Sequence, residues 1–163
     1  MRQSAIFFLF FLSAASNAQY HNWSMWRYDH HRSASTPEQL ADKLYLQWQV
    51  QYSPRMPVWD DPLNQNLMQF DRIFEPIVAD GKIFLGFNTQ DKIIALDINT
   101  GKEVWHYFTD GPVRMPLASN NGKIYFTSDD GYCYCLNAFD GSLAWKLLLA
   151  PGPNKLLGNK RLI

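Results

Sequence analysis

Four charged residues of this 163-residue chain stand where they could contribute to one binding surface. Asp71, Arg72 and Glu75 precede or open one predicted strand, and Arg114 opens another. Arginine offers a rigid fork of donors to a carboxylate or a phosphate, so these side chains are candidate ligand contacts. The simpler interpretation is that the charges pair with one another or with loop backbone. Neither interpretation assigns a catalytic group.

Two further groups of residues could bind a metal, but neither has a suitable spacing. Cys133 and Cys135 lie on one face of a predicted strand, where a disulfide between them would be badly aimed. We interpret them as two small buried thiols. His30 and His31 follow Asp29 and would project to opposite sides of an extended arm, with no third ligand at a helpful spacing. We therefore expect a solvated polar arm and no metal site.

The start of the chain is typical of a secretory signal peptide. Arg2 precedes the uncharged apolar run from Ile6 to Leu12, and Ser16-Asn17-Ala18 supplies small residues at the cleavage positions. The run is shorter than the roughly 20 residues that span a bilayer. We therefore predict cleavage after Ala18, export to the periplasm or the extracellular space, and no transmembrane segment. The 15 basic and 15 acidic residues balance, and no basic stripe indicates a nucleic-acid partner.

One segment of the chain recurs about forty residues later, at a period typical of β-propeller blades. The run Gly81-Lys82-Ile83-Phe84-Leu85 returns as Gly122-Lys123-Ile124-Tyr125-Phe126. Further along, Asp97, Gly101 and Trp105 return as Asn137, Gly141 and Trp145. Repeated short strands at this spacing predict a sheet-rich protein built from similar units.

The repeat predicts two sheets of four strands each. The first sheet is expected at Glu75–Ala79, Lys82–Phe87, Lys92–Asp97 and Glu103–Phe108. The second is expected at Met115–Ser119, Lys123–Ser128, Tyr132–Asn137 and Leu143–Leu149. Before them, Lys43 to Val50 alternates apolar and polar residues, which predicts one half-buried strand. The pairs Asp80-Gly81 and Asn121-Gly122 predict tight hairpins, because glycine accepts a positive φ.

The segment from Ala95 to Trp105 resembles the tryptophan docking motif of pyrroloquinoline quinone (PQQ) type propeller repeats. The motif is Ala-x-Asp, two residues, Thr-Gly, three residues and Trp. All five marked positions match, at Ala95, Asp97, Thr100, Gly101 and Trp105. The second copy keeps the glycine and the tryptophan and departs at the other three, at Cys135, Asn137, Asp140, Gly141 and Trp145. In that family the tryptophan of one blade docks against the next, so the resemblance implies structural roles for Trp105 and Trp145.

The resemblance implies an all-β partial β-propeller with two complete four-stranded antiparallel blades and a lone N-terminal outer strand. We expect a signal peptide at 1–18 and an N-terminal arm, lone strand and long loop at 19–73. The blades are expected at 74–110 and 111–150, and the start of a further blade at 151–163. Propellers typically close with four to eight blades. We therefore expect the chain to be an N-terminal piece of a longer propeller.

Two functions are compatible with the resemblance. The first is an exported, non-catalytic binding or assembly scaffold, with a protein partner or the missing blades on its open surfaces. The alternative is a piece of a quinoprotein dehydrogenase, which would oxidise alcohols or sugars with PQQ and calcium. The adjacent cysteine pair of such enzymes is absent, and no motif matches their catalytic carboxylate or calcium ligands. Inner strands line a propeller channel, so Asp71, Arg72, Glu75 and Arg114 would lie at its mouth.

Overall fold

A computed structural model of the protein describes residues 22–55, 74–152, 157–158 and 161–162. These residues form two four-stranded antiparallel sheets and one short hairpin. The first sheet contains β1 (Ile77–Ala79), β2 (Lys82–Phe87), β3 (Lys92–Asp97) and β4 (Glu103–Phe108). The second contains β5 (Ala118–Asn120), β6 (Lys123–Thr127), β7 (Tyr132–Asn137) and β8 (Leu143–Leu148). The hairpin contains β9 (Leu157–Gly158) and β10 (Arg161–Leu162).

Each large sheet is a meander in which every strand pairs with the next one along the chain. The predicted all-β fold class is confirmed, and the two sheets are the two predicted blades. No helix among the described residues has the length and hydropathy to cross a membrane. The predicted signal peptide lies outside the described residues, and a further blade starting at 151–163 remains a prediction.

The inner strands β1 and β5 start later than predicted. The first begins at Ile77 rather than Glu75, and the second at Ala118 rather than Met115. Pro76 and Pro116 explain the difference, because proline has no N–H to donate to a sheet ladder. The residues just before each inner strand are therefore not paired in the sheet. Their side chains remain available at the end of the sheet.

Both inner hairpins have the tight geometry predicted for them. Asp80 and Gly81 have φ of 50° and 71°, and Asn121 and Gly122 have φ of 49° and 68°. Two successive positive φ values define the turn type whose twist matches the flanking strands. The same hairpin geometry therefore starts each blade.

The main core lies between the two blades. One face of the first blade contributes Phe84, Ile93, Ala95 and Trp105, and the second blade contributes a matching set. The members from the second blade are Val113, Leu117, Ile124, Phe126, Tyr134, Leu136 and Ala138. A smaller cluster of Leu85, Phe87, Ile94 and Leu96 lies on the opposite face of the first blade. Because side chains alternate across a strand, each blade has two faces to cover.

A tryptophan covers a glycine in the outer hairpin of each blade. Trp105 lies on Gly141, and its indole N–H donates to the carbonyl of Ala138 at 3.1 Å. Trp48 lies on Gly101 in the same way and donates to the carbonyl of Ile98 at 2.8 Å. We call each such glycine, with the carbonyl three residues before it, a tryptophan seat. A Cβ on Gly141 would lie 2.6 Å from the Trp105 ring, so only glycine fits there.

The segment over Lys43 to Val50 departs from its prediction as a half-buried strand. It carries no strand pairing, and its apolar side chains Leu44 and Leu46 are 74% and 80% exposed. Only Trp48 is partly covered, through its seat on Gly101. The physical reason is that a strand needs a ladder partner, and none of the described residues supplies one. The alternation therefore predicted neither the backbone hydrogen bonding nor the exposure of this segment.

We predict that Gly141→Ala destabilises the protein by about 2–4 kcal/mol, because the added Cβ both strains a positive φ and displaces the Trp105 ring. Gly141 has φ of 74°. Gly122→Ala is the matched control, because Gly122 has φ of 68° and open space around its Cβ position. Gly122→Ala should lower the free energy of unfolding by only about 1–2 kcal/mol, which is the cost of an alanine in the left-handed conformation. Urea unfolding followed by circular dichroism measures both, and equal losses would contradict the packing role.

Candidate functional site

We call the turn that carries each tryptophan seat a docking turn. The first docking turn, which carries Gly101, is held together by the Asp97 carboxylate. Asp97 Oδ1 accepts from the Thr100 hydroxyl at 2.8 Å and from the backbone N–H groups of Asn99 and Thr100 at 3.1 and 2.8 Å. The Thr100 hydrogen bonds hold the pKa of the Asp97 carboxyl below its usual value. The Gly101 N–H donates to the Asp97 carbonyl at 2.8 Å. Asp97, Thr100 and Gly101 of the motif therefore shape this turn, and Ala95 is fully buried in β3.

The second docking turn, which carries Gly141, is held by an aspartate at a different position. Its aspartate is Asp140, whereas the first turn uses Asp97. Asp140 Oδ1 accepts from the Ser142 N–H at 2.9 Å and from its hydroxyl at 2.7 Å, which lowers the pKa of Asp140. Asn137 donates from its side chain to the Ser142 hydroxyl. The Gly141 N–H donates to the Asn137 carbonyl at 2.9 Å, as its counterpart does in the first turn. Cys135 is buried, whereas Trp145 is 45% exposed.

The N-terminal arm lies along the inner strands of both blades. Trp23 exchanges two backbone hydrogen bonds of 2.8 Å with Val78 of β1. One residue later, the Ser24 carbonyl accepts from the N–H of Ser119 in β5 at 2.7 Å. The arm thus joins the two blades on their inner side and covers part of two sheet edges, which are otherwise open to strand pairing. This pairing was not predicted.

The arm and the proline-preceded ends of the inner strands enclose a groove. It consists of two cavities of about 470 and 440 Å³ that share Trp26 and Glu75. Residues of the first cavity are Trp23, Trp26, Arg27, Ala34, Glu75, Pro76 and Val78. Those of the second are Trp26, Glu75, Arg114, Met115 and Pro116. We call this the Trp26 groove. It brings together Glu75 and Arg114, two of the four charged residues predicted to share a surface.

Glu75 is the carboxylate of the Trp26 groove. Partial burial raises the pKa of the Glu75 carboxyl, and the positive charge of Arg55 opposes this only in part. Desolvation disfavours the charged form, as it does for any carboxyl between apolar groups. The groove therefore contains a negative charge that is poorly solvated, next to an indole that is 44% exposed.

Arg114 is not a free charge at the other end of the groove. Its Nε lies 2.6 Å from Asp129 Oδ2, so the guanidinium is neutralised by the β6–β7 turn. The neighbouring Asp130 accepts from the buried Tyr134 hydroxyl at 2.6 Å, and burial is the main cause that raises the pKa of Tyr134. The simpler interpretation paired Arg114 with another of the four charged residues or with loop backbone, whereas its observed partner is the side chain of Asp129. It fixes Arg114 as a wall of the groove.

Arg55 is not among the residues that line the groove, but its charge acts on the Glu75 carboxyl, and the sequence reasoning missed it. It is only 7% exposed, and its Nη2 donates to the Val113 carbonyl at 3.1 Å. Its Nε donates to the Asn88 side chain at 3.3 Å, and its guanidinium stacks over Phe74. Arginine is rarely this buried. No local pattern around Arg55 distinguishes it from other loop residues, because its partners come from two later loops.

The remaining candidates fall elsewhere. Asp71 and Arg72 lie outside the described residues. Cys133 and Cys135 are free thiols on β7, and burial raises the pKa of Cys133. The rings of His30 and His31 lie 3.8 Å apart, so the expectation that they project to opposite sides is wrong. The arm is not extended there, because positive φ values at Arg27, Tyr28 and Arg32 fold it into turns.

Comparison with protein families identifies the relatives of this fold. The PQQ_2 family model, described as outer membrane protein assembly factor BamB, matches residues 26–162. The chain belongs to this family. The resemblance to PQQ-type propeller repeats is therefore confirmed. The PQQ_2 match covers both blades, the N-terminal arm from Trp26 onward and the short hairpin β9–β10.

Relatives of this chain include a quinone alcohol dehydrogenase subunit and an outer membrane protein assembly factor. The dehydrogenase subunit of a quinone alcohol dehydrogenase from Gluconacetobacter polyoxogenes is 33% identical over 97 residues, covering 53% of this chain and 13% of the relative. The outer membrane protein assembly factor BamB of Escherichia coli is 24% identical over 110 residues, covering 61% and 28%. The crystal structure of BamB from Moraxella catarrhalis has a TM-score of 0.42 at 30% identity, covering 48% and 26%. The chain thus spans a small part of each relative.

We predict that Glu75→Gln raises stability at pH 7 and leaves it unchanged near pH 3. The folded-state pKa of Glu75 lies above its unfolded value, so protonated Glu75 stabilises the fold at low pH. That contribution is lost as the pH rises through the folded pKa, and glutamine retains it. The gain should stay below about 1 kcal/mol, because groove water screens the charge.

Urea unfolding at the two pH values measures this difference. Glu38→Gln is the matched control, because Glu38 is exposed on the arm, and this variant should match the stability of the native protein at each of the two pH values. A loss of stability in Glu75→Gln at pH 7 would mean that the carboxylate is favourably paired in the fold.

Proposed function

We propose that the protein is an exported, non-catalytic member of the PQQ_2 family that acts as a binding or assembly scaffold for another protein. The observation that carries the proposal is the Trp26 groove. It combines exposed apolar side chains with charges that are paired or poorly solvated. Tryptophan and arginine are enriched among residues that dominate protein interfaces. The family description as an assembly factor supports the same role.

The composition of the groove suits recognition better than reaction chemistry. Trp26 and Met115 are 44% and 60% exposed, so two large apolar side chains face solvent together. Contiguous apolar surface of this kind marks sites where another molecule binds. Arg114 is neutralised by Asp129, so it contributes an oriented hydrogen-bonding surface and not a free charge. A partner that covers the groove would bury both apolar side chains and meet a preformed polar rim.

A quinoprotein function is the second candidate, favoured by the 33% identity to a quinone alcohol dehydrogenase subunit. Calcium, which accompanies PQQ in such enzymes, takes six to eight oxygen ligands. The described part of the chain contains no group of three or more His, Cys, Asp or Glu residues that could hold a metal ion. Among the described residues that line the two cavities of the Trp26 groove, Glu75 is the one with a carboxylate. The described residues do not fit a calcium–PQQ site.

A photo-crosslinking residue at position 115 of the full chain should capture one discrete protein in the cell envelope of the host. Met115 is exposed in the groove, so a bound partner would lie within reach of the crosslinker. Trp26→Ala in the same chain should abolish the adduct, because it removes the shared indole of both cavities. The crosslinker at position 139 is the control, since Phe139 is 80% exposed outside the groove. Gel mobility and mass spectrometry identify the adducts.

Two results would contradict the scaffold proposal. The first is an absence of adducts at position 115, or identical adducts at positions 115 and 139. The second is dye-linked alcohol oxidation by the purified full chain after addition of PQQ and calcium, together with a bound-quinone absorbance.

The circular dichroism spectrum of Trp26→Ala should match that of the native chain, because an exposed indole contributes little to folding.

Export rests on the predicted signal peptide, which lies outside the described residues. Intact-mass measurement of the protein recovered from the envelope or medium should give a chain that begins at Gln19. Cleavage there would leave Trp23 close to the new N-terminus, still able to pair with Val78. A cytosolic protein that retains residues 1–18 would contradict export.

A further inference from the structure

A further cavity lies between the two inner hairpins and the start of the N-terminal arm. Its volume is about 390 Å³, and every side chain of the described residues that line it is polar. We call it the polar cavity. It lies where β1 and β5 end, whereas the Trp26 groove lies where they begin. Its side chains are those of Asn22, Ser24, Asp80, Ser119, Asn120 and Asn121.

Ser119 is the buried wall of the polar cavity. It is 8% exposed, and its backbone N–H donates to the Ser24 carbonyl at 2.7 Å. Ser119 pairs directly with Ile124 of the core between the blades, so its hydroxyl projects from the same face, toward the first blade. That hydroxyl makes no hydrogen bond within the described part of the chain. A buried hydroxyl without a partner is costly, so it marks a place for a hydrogen-bonding molecule.

The other walls of the polar cavity add donors and acceptors from separate segments. The Asn22 side-chain oxygen accepts from the Asp80 N–H at 3.3 Å, which leaves its NH₂ group as a donor. The side chains of Asn120 and Asn121 bond to none of the described residues, and Asp80 adds an exposed carboxylate. The cavity therefore offers carboxamides and hydroxyls, which both donate and accept, beside one carboxylate, which only accepts.

These groups fit a ligand rich in hydroxyls better than an ion or an apolar ring. The described lining residues include no Lys or Arg that could neutralise a phosphate, and no aromatic or aliphatic side chain. Asp80 is their one acidic residue, which is too few for a cation that takes six to eight oxygen ligands. A sugar hydroxyl donates and accepts at once, as the cavity walls do. The cavity volume lies within the range of small-molecule sites.

The polar cavity does not depend on whether further blades follow. Ser119 projects toward the first blade, whereas a further blade would stack on the opposite face of the second, which carries Tyr125 and Trp145. The arm closes the inner side, because Trp23 pairs with Val78 and Ser24 bonds to Ser119. The space between the first two blades would therefore stay unfilled by an added blade.

We propose that the polar cavity binds a neutral carbohydrate, with the Ser119 hydroxyl and the Asp80 carboxylate bonding to sugar hydroxyls from two sides. Ser119 would gain in the complex the partner that the fold does not supply. The carboxamides of Asn120 and Asn121 would add directional hydrogen bonds that orient the ring. The proposal does not rest on the scaffold function, because the cavity and the Trp26 groove lie at opposite ends of the inner strands.

Saturation-transfer difference NMR on the full chain tests this with D-glucose, D-galactose, D-mannose and N-acetyl-D-glucosamine. At least one of these sugars should bind with a Kd of about 1–10 mM. Ser119→Ala and Asp80→Asn should each weaken its binding by about tenfold, because each removes a hydroxyl or a charged acceptor from the site. Asparagine tolerates the left-handed conformation of Asp80, which has φ of 50°.

Urea unfolding of the same variants separates a sugar contact from a structural role. Ser119→Ala should have a urea midpoint equal to or above that of the native protein, because it removes an unpaired buried hydroxyl. Ser128→Ala is the matched control, since Ser128 is also 8% exposed but its hydroxyl donates to the Gly111 carbonyl at 3.0 Å. It should lower the midpoint and leave sugar binding unchanged.

Three results would overturn the proposal. The first is an absence of binding by all of these sugars up to about 100 mM, which would mean that the cavity holds only water. The second is unchanged sugar binding in Ser119→Ala or in Asp80→Asn. The third is a fall in the urea midpoint of Ser119→Ala as large as that of Ser128→Ala. Trp26→Ala should bind sugar as the native chain does, so failure of the scaffold proposal would be seen separately.

Discussion

The fit of an indole onto a left-handed glycine is the interaction on which this structure depends. Gly101 and Gly141 have φ of 66° and 74°, and both lie against an indole ring where a Cβ would stand. The turn must be left-handed to expose the acceptor carbonyl, and it must end in glycine to let the ring approach. In both hairpins the tryptophan follows the glycine at the same short spacing, at Trp105 and Trp145. Each hairpin therefore receives one indole and presents the next, which explains why the unit repeats.

The constraint acts on the turn and tolerates changes in the residues that build it. The first turn uses Asp97 and Thr100, whereas the second uses Asn137, Asp140 and Ser142. In both, the glycine N–H donates to the carbonyl at the start of the turn. A side-chain acceptor at a different position, Asp140 in place of Asp97, supports the same backbone conformation of the turn. The motif can therefore degenerate at its polar positions while the glycine and the tryptophan, which make the contact, are retained.

The sequence predicted what local patterns determine. Alternation and turn residues placed β2, β3, β4 and β7 at their observed bounds, because those strands have partners close in sequence. The strand expected around Trp48 failed because alternation supplies neither a ladder partner nor a surface that covers the apolar side, and Leu44 and Leu46 remain exposed. The Trp26 groove was only half foreseen. Glu75 and Arg114 were identified from their place before the inner strands. Trp26 lines the groove, and the charge of Arg55 acts on Glu75, only because distant segments meet there, which no local pattern encodes.

The N-terminal arm completes the physical account, because it joins the blades where the tryptophan seats do not. Trp105 fixes the second blade to the first at the outer hairpins, whereas Trp23 and Ser24 bind β1 and β5 at the inner edge. Two attachments at opposite margins prevent one blade from rotating against the other about either contact alone. The groove between the arm and the inner strands is consequently held open by backbone hydrogen bonds. A partner would then bind a preformed surface, and little of its binding free energy would be lost to ordering the site.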